Sequence, residues 1–464
     1  MKNINILAKG LFMVVVAASM SLTSCKDEPD KYETASGKPT IHYIRCLSSE
    51  VEGRNEEAGT HHTNGELVTE AYPQSTLCLV GENLRSITQI YFNNLKAVMN
   101  SSYITDNTLI VDVPKNVPTE VTDKIYMITA DKDTLDYDFH VVISAPVIAN
   151  MECEYAKPGS EQTIFGQYMI SDPNSPLTVW FKDKDDKDVK AEISYIAEDF
   201  TSVTFVIPEN AAEGPVTIQS IYGTTTSNFR YMDTRGLMFD FDGKTGLAFD
   251  DHCWHGHSAK EDDYSLSGKY IQMGPATLDE TAAWNDGDFS LEYWCGDWNN
   301  PQTYEGNGAR LFDIVDFSKS EDMTLKFEMC IPSDNKWSAG AMQFIFAPTS
   351  AVTLSGNPDV YGNATAGANN TFFRTAADGG LDLPRALYRP WTATGSYDTG
   401  GKWITVSLPI SSSFVYNFDG SGVSSTLSEE DFASLTIFLI GGGVNGTECT
   451  PIIKIDNIRA VPNK

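Results

Sequence analysis

The sequence predicts an all-β protein, with two small β-sandwiches in tandem and a larger one after them. Three observations carry this. Short runs of alternating apolar and polar residues, broken by Gly, Pro, Asn and Asp, fill the chain from Pro39 onward, which is the pattern of half-buried strands. The same order of such runs occurs twice between Pro39 and Tyr231. Beyond Asp233 the composition changes: seven of the eight Trp lie there, and only Trp180 precedes it.

The first element is not part of the fold. Lys2 and Lys9 supply a positive n-region before an uncharged apolar run from Leu11 to Met20, too short to span a bilayer, which needs about 20 residues. It reads as a secretory signal over residues 1–24. Leu22-Thr23-Ser24-Cys25 resembles the bacterial lipobox, which makes Cys25 the expected lipidation site. The acidic run Asp27-Glu28-Pro29-Asp30 resembles the export signal of Bacteroidetes lipoproteins on the outer face of the outer membrane. The implied localisation is outer membrane, lipid-anchored and facing the exterior. Residues 25–38 are polar, with little to bury, and read as a lipidated tether.

Residues 39–144 and 145–232 are the expected tandem sandwiches. The first runs through Pro39-Thr40-Ile41, LCLVGENL (Leu77–Leu84), ITQIYFNN (Ile87–Asn94), TLIVDVP (Thr108–Pro114), KIYMITA (Lys124–Ala130) and DYDFHVVI (Asp136–Ile143). The second runs through Pro146-Val147-Ile148, TIFGQYM (Thr163–Met169), LTVWFKD (Leu177–Asp183), SVTFVIP (Ser202–Pro208), GPVTIQSIYG (Gly214–Gly223) and TSNFRY (Thr226–Tyr231). An opening Pro, a Gly after an alternating strand and a strand ending in Pro recur at matching places, the mark of an internal repeat. Gly81-x-Asn83-Leu84, Ile90-x-Phe92 and Val111-x-Val113-Pro114 resemble the IPT/TIG family of immunoglobulin-like sandwiches; the second copy matches more loosely. Both copies read as rigid spacers. His61-His62, in an insertion of the first copy, has no third ligand in view and reads as an exposed loop.

Residues 233–464 form the third expected domain. FDFDG (Phe239–Gly243), GKWITVSLPI (Gly401–Ile410) and the closing Ile455-Asp456-Asn457-Ile458 resemble the jelly-roll carbohydrate-binding modules. Pro332 to Phe346, Arg389-Pro390-Trp391 and Thr399 to Pro409 resemble, more closely, the C-terminal domain of the Bacteroidetes surface glycan-binding protein B family. Lipobox, two IPT/TIG-like domains and this module match that family along essentially the whole mature chain. The resemblance implies a non-enzymatic surface lipoprotein of a polysaccharide utilization locus. It implies binding of a glucan, xyloglucan or mannan, presented to surface hydrolases and to a Sus-like outer-membrane transporter complex.

Sugar chemistry points to the same region. A pyranose has an apolar C–H face that stacks on an aromatic ring and a hydroxyl rim that amides and carboxylates read. The stretch from Trp284 to Tyr304 places three Trp and two Tyr among Asn285, Asp286, Glu292, Asp297, Asn299 and Asn300. Phe289, Leu291 and Tyr293 alternate toward a core; Ser290, Glu292 and Trp294 face the other way. Trp254, Trp284, Glu292, Trp294, Trp298, Tyr304 and Trp391 are therefore the candidate ligand-binding residues, Trp391 as a groove rim. Trp403 reads as core, and Trp337 as core or site.

No catalytic residue, cofactor or metal ligand set is assigned. A net charge of −30 argues against nucleic acid and is indifferent to neutral sugars. No Ser-His-Asp motif, HExxH, phosphate loop or dinucleotide fingerprint occurs. The alternatives are a β-sandwich glycoside hydrolase or lyase, for which Glu292 and Asp297 are the acids to consider, and a protein-binding adhesin. The cysteines after Cys25 read as small buried hydrophobes, with Cys46–Cys78 as an open disulfide option. Asp240, Asp242 and Asp456 are an open option for structural calcium.

Overall fold

A computed structural model describes residues 34–48, 64–247, 259–295, 309–351 and 383–463. The chain is all-β and divides into two compact units: residues 1–144 with Asp172–Asn174, and residues 145–171 with Ser175 onward.

In the first unit a five-stranded sheet is built around Thr40–Ser48, Thr76–Glu82 and Thr108–Asp112, and a four-stranded sheet around Ile87–Phe92 and Lys124–Thr129. Alternation makes the core. Leu77, Leu79, Leu109 and Val111 come from one sheet, Ile90, Phe92, Ile125 and Met127 from the other, and all are buried. Phe92 meets Phe139 edge-on at 5.9 Å between ring centres. The disulfide option fails on the period of two. Cys46 pairs with Leu77 and Arg45 with Cys78, so the two thiols lie on opposite faces of their sheet. All six described cysteines are free.

The second unit contains two sandwiches. The smaller pairs Val147–Met151, Glu161–Gln167, Ser202–Val206 and Glu192–Ile196 in one sheet, and Asp188–Lys190, Thr178–Lys182, Ala212–Ser220 and Gly223–Tyr231 in the other. The repeat read from sequence has a steric cause at its glycines. Gly81 pairs with Ile41 and Gly166 with Ile148. A Cβ on either would collide with the carbonyl oxygen one residue earlier, Thr40 O in the first copy and Val147 O in the second. Only glycine lets the opening strand lie this close.

The larger sandwich has two sheets. One is built on Ile453–Pro462, Met323–Cys330 and Trp403–Pro409. The other runs in the order Ser290–Tyr293, Ser434–Ile440, Ala341–Ala347, Arg385–Tyr388, Phe414–Tyr416. Between them lies one continuous core, in which Phe327 from the first sheet meets Phe344 from the second at 5.0 Å.

The outer face of the first sheet is charged, and residues 152–155 of the smaller sandwich are docked on it. Arg459 donates to Glu328 Oε2 at 2.8 Å and to Glu154 Oε2 at 2.9 Å, and Lys326 Nζ reaches Glu154 Oε1 at 2.6 Å. The Thr405 hydroxyl donates to Glu328 Oε1 and accepts the Glu154 amide N–H at 2.7 Å. All four charged groups are buried. Two carboxylates against two cations leave the cluster neutral, which is how charge survives burial. Trp403, expected in the core, shares this face instead. It is only partly buried, packs against the core of the smaller sandwich, and donates its indole N–H to Tyr264 O at 2.7 Å. Alternation had put Trp403 and Thr405 on one face; that face belongs to the joint.

Candidate glycan-binding site

With one sheet of the larger sandwich taken up by the joint, the other sheet offers its outer face. Leu291, Tyr293, Phe344, Phe346 and Ile437 point to the core. Their alternates form rows across the strands: Ser290, Phe438, Gln343 and Leu387 in one, Glu292, Thr436 and Ile345 in the next. Arg385, two residues before Leu387, joins the same face.

Trp284 stands over this surface. It is 50% exposed, and its ring meets Phe438 edge-on with 5.0 Å between centres. An ordered, half-exposed indole supported by a second ring is what a pyranose C–H face requires. The polar groups of the face itself are buried: Glu292 is 3% exposed, Gln343 and Arg385 not at all. Glu292 Oε1 accepts the Ser290 hydroxyl at 2.9 Å. Gln343 Nε2 donates to Phe418 O and Ile440 O, both at 3.1 Å, and Arg385 Nη1 lies 3.4 Å from Gln343 Oε1. The Arg385 guanidinium also lies 5.9 Å from the Phe418 ring centre. Carboxylate, amide and guanidinium are thus bonded into the fold behind the exposed ring.

Of the residues singled out from sequence, Trp284 and Glu292 share this face. Trp294 does too, but it is not an exposed ring: it is 3% exposed and donates its indole N–H to Thr436 Oγ1 at 2.9 Å. Trp391, expected at a rim, is buried in the core with its N–H on Gly340 O at 2.7 Å. Trp337 is likewise core, bonded to Ala339 O. Each buried indole has one acceptor for its single donor, the usual condition for burying it. Trp254, Trp298, Tyr304, Asp297 and Cys25 lie outside the described residues. Gln343, Arg385 and Phe438 were missed. Their signal was a polar residue inside an apolar strand: Gln343 in AMQFIFA and Arg385 opening RALY.

Among the described residues no cluster of three His, Cys, Asp or Glu side chains could hold a metal ion. The calcium candidates accept backbone amides through one oxygen each. Asp240 Oδ1 accepts the amides of Asp242, Gly243 and Lys244, Asp242 Oδ1 that of Lys269, and Asp456 Oδ1 that of Asn457.

Residues 231–462 match the family described as the surface glycan-binding protein B xyloglucan binding domain. The crystal structure of a surface glycan-binding protein B from Prevotella bryantii is 44% identical, covers 93% of this chain and 100% of its own, and superposes with a TM-score of 0.77. A surface glycan-binding protein B from a complex xyloglucan utilization locus of Bacteroides uniformis aligns over 92% of this chain and 100% of its own at 12% identity and a TM-score of 0.39. An IPT/TIG domain-containing protein of Bacteroides ovatus is 24% identical over 233 residues, 47% of this chain, and the match spans only 44% of that protein's length. Half of the sequence fits the family and a 44% identical relative aligns end to end, so the chain belongs to the surface glycan-binding protein B family and is a glycan-binding protein, not an enzyme.

Proposed function

We propose that the protein holds a xyloglucan-type β-glucan on the outer face of the sheet that carries Trp284, as a lipid-anchored receptor on the exterior of the outer membrane. There it presents the glycan to surface hydrolases and to an outer-membrane transporter complex. The observation that carries the reading is the half-exposed Trp284 ring standing on Phe438. The choice of xyloglucan rests on the matching family's description. Trp298 and Tyr304 of the Trp284–Tyr304 sequence stretch, and Trp254 of DDHCWHGH, are the further aromatic candidates.

Trp284→Ala tests the site. A stacked ring contributes on the order of 1–3 kcal/mol, so xyloglucan affinity falls roughly tenfold or more while the melting temperature holds. Unchanged affinity would remove the sheet face from the mechanism. The lipobox-like Leu22-Thr23-Ser24-Cys25 supports the location, and Cys25→Ala tests it. The variant leaves the membrane fraction; retention with unaltered protease accessibility rules the anchor out.

A further inference from the structure

Beside the charged joint, the two sandwiches of the second unit leave a crevice of about 350 Å3, within the ~300–1,000 Å3 typical of small-ligand sites. One wall comes from the smaller sandwich, with Lys157, Ser160 and Glu161; the other from the larger, with Asp263, Tyr264 and Trp403. We propose that this crevice is a second glycan-binding site, which takes a neutral pyranose segment of the same polysaccharide. The proposal rests on the glycan-binding reading for the class of ligand, not for the location.

Tyr264 is the first argument. It is 61% exposed, yet it is pinned. The Lys454 ammonium sits 3.5 Å from its ring centre, and its carbonyl oxygen holds the Trp403 indole N–H. Its backbone N–H donates to Asp262 Oδ1 at 2.9 Å, and the Ser265 hydroxyl accepts the Asp262 N–H. With Lys454 on one face, the rest of this fixed ring stays in water as unburied apolar area. Such area is what a sugar face covers.

Charge is the second. The crevice is lined by Lys157 and Lys402 on one side of the balance and by Glu161 and Asp263 on the other. Two of each sign favour neither an anion nor a cation, but supply donors and acceptors for hydroxyls. Rigidity is the third. The buried contacts of Arg459, Glu154, Glu328 and Lys326 fix the two walls against each other, so binding pays no cost for closing the cleft.

The test is calorimetry of the full chain with xyloglucan polysaccharide, on wild type, Tyr264→Ala, Ser160→Tyr, Trp284→Ala and the Tyr264→Ala/Trp284→Ala pair, with melting temperatures alongside. Tyr264→Ala removes a wall; Ser160→Tyr fills the crevice from the opposite sandwich. Both are expected to weaken binding about five- to tenfold at unchanged melting temperature, the loss expected of one stacked ring, and the pair to lose the product of its single effects. Wild-type affinity in both crevice variants, with a loss in Trp284→Ala, overturns the crevice and spares the sheet site. A loss in the crevice variants with none in Trp284→Ala supports the crevice and overturns the sheet site. No binding by the wild type overturns both.

Discussion

Asp456 is buried in the strand Ile453–Pro462, directly across from Glu328. Burial, and then the neighbouring Glu328 carboxylate, push its carboxyl from an ordinary 3.8 up to about 8. A carboxyl raised in the folded chain contributes stability that is whole below the unfolded value and lost as pH rises through the folded one. The window is therefore pH 4 to 8. At 1.36 kcal/mol per pH unit, the loss by pH 7 is at most about 4 kcal/mol. Asp456→Asn removes the titration and keeps the geometry: the amide oxygen still accepts the Asn457 N–H, and the amide nitrogen faces Ser267 Oγ in place of Oδ2. Thermal melts of wild type and variant at pH 5 and pH 8.5 check this. The variant is expected to match the wild type within a small margin at pH 5 and to be clearly more stable at pH 8.5. Parallel profiles would refute the reasoning, because they would mean that Asp456 is already ionised in the folded chain at neutral pH.

Three further outcomes follow from packing. Trp294→Ala empties a buried, hydrogen-bonded position and is expected to cost about 3–5 kcal/mol in urea unfolding, unlike Trp284→Ala, which is expected to leave stability nearly unchanged. Arg459→Met strands Glu328 in the joint and leaves Glu154 with Lys326 alone; a loss of about 3–5 kcal/mol is expected, and Glu328→Gln added to it should restore part. Gly166→Ala forces a Cβ onto Val147 O and should lower the melting temperature of the second unit, whereas Gly287→Ala, with open space around it, should not.

The fold was legible because both of its signals are local. Alternation places Leu77, Leu79 and their partners without reference to anything distant, and Gly81 and Gly166 announce the repeat because one steric demand occurs twice. The site was legible only in part. Alternation assigns Ser290, Glu292 and Trp294 to a face but says nothing of exposure, and all three are buried while Trp284, outside the strand, is the ring in the open. Trp391 was misread because a Trp next to Arg389-Pro390 looks like a loop residue, whereas the carbonyl of Gly340 that draws it inward is remote in sequence. The charged joint escaped for the same reason: Glu154, Lys326, Glu328 and Arg459 come from three distant segments. It left one readable trace, charged residues within the apolar strands MTLKFEMC and IKIDNIRAVP.

The absence of cross-links among the described cysteines gives the molecule a set of internal clocks. Cys46 lies inside the first sandwich, Cys153 inside the second and Cys295 inside the third, while Cys330 shares the joint-facing side of its strand with Lys326 and Glu328, all buried. Burial pushes each of these thiols up, which slows alkylation as long as its sandwich stays closed. A pulse of an alkylating reagent during denaturation, followed by peptide mapping, therefore dates the opening of each sandwich separately in the unmutated chain.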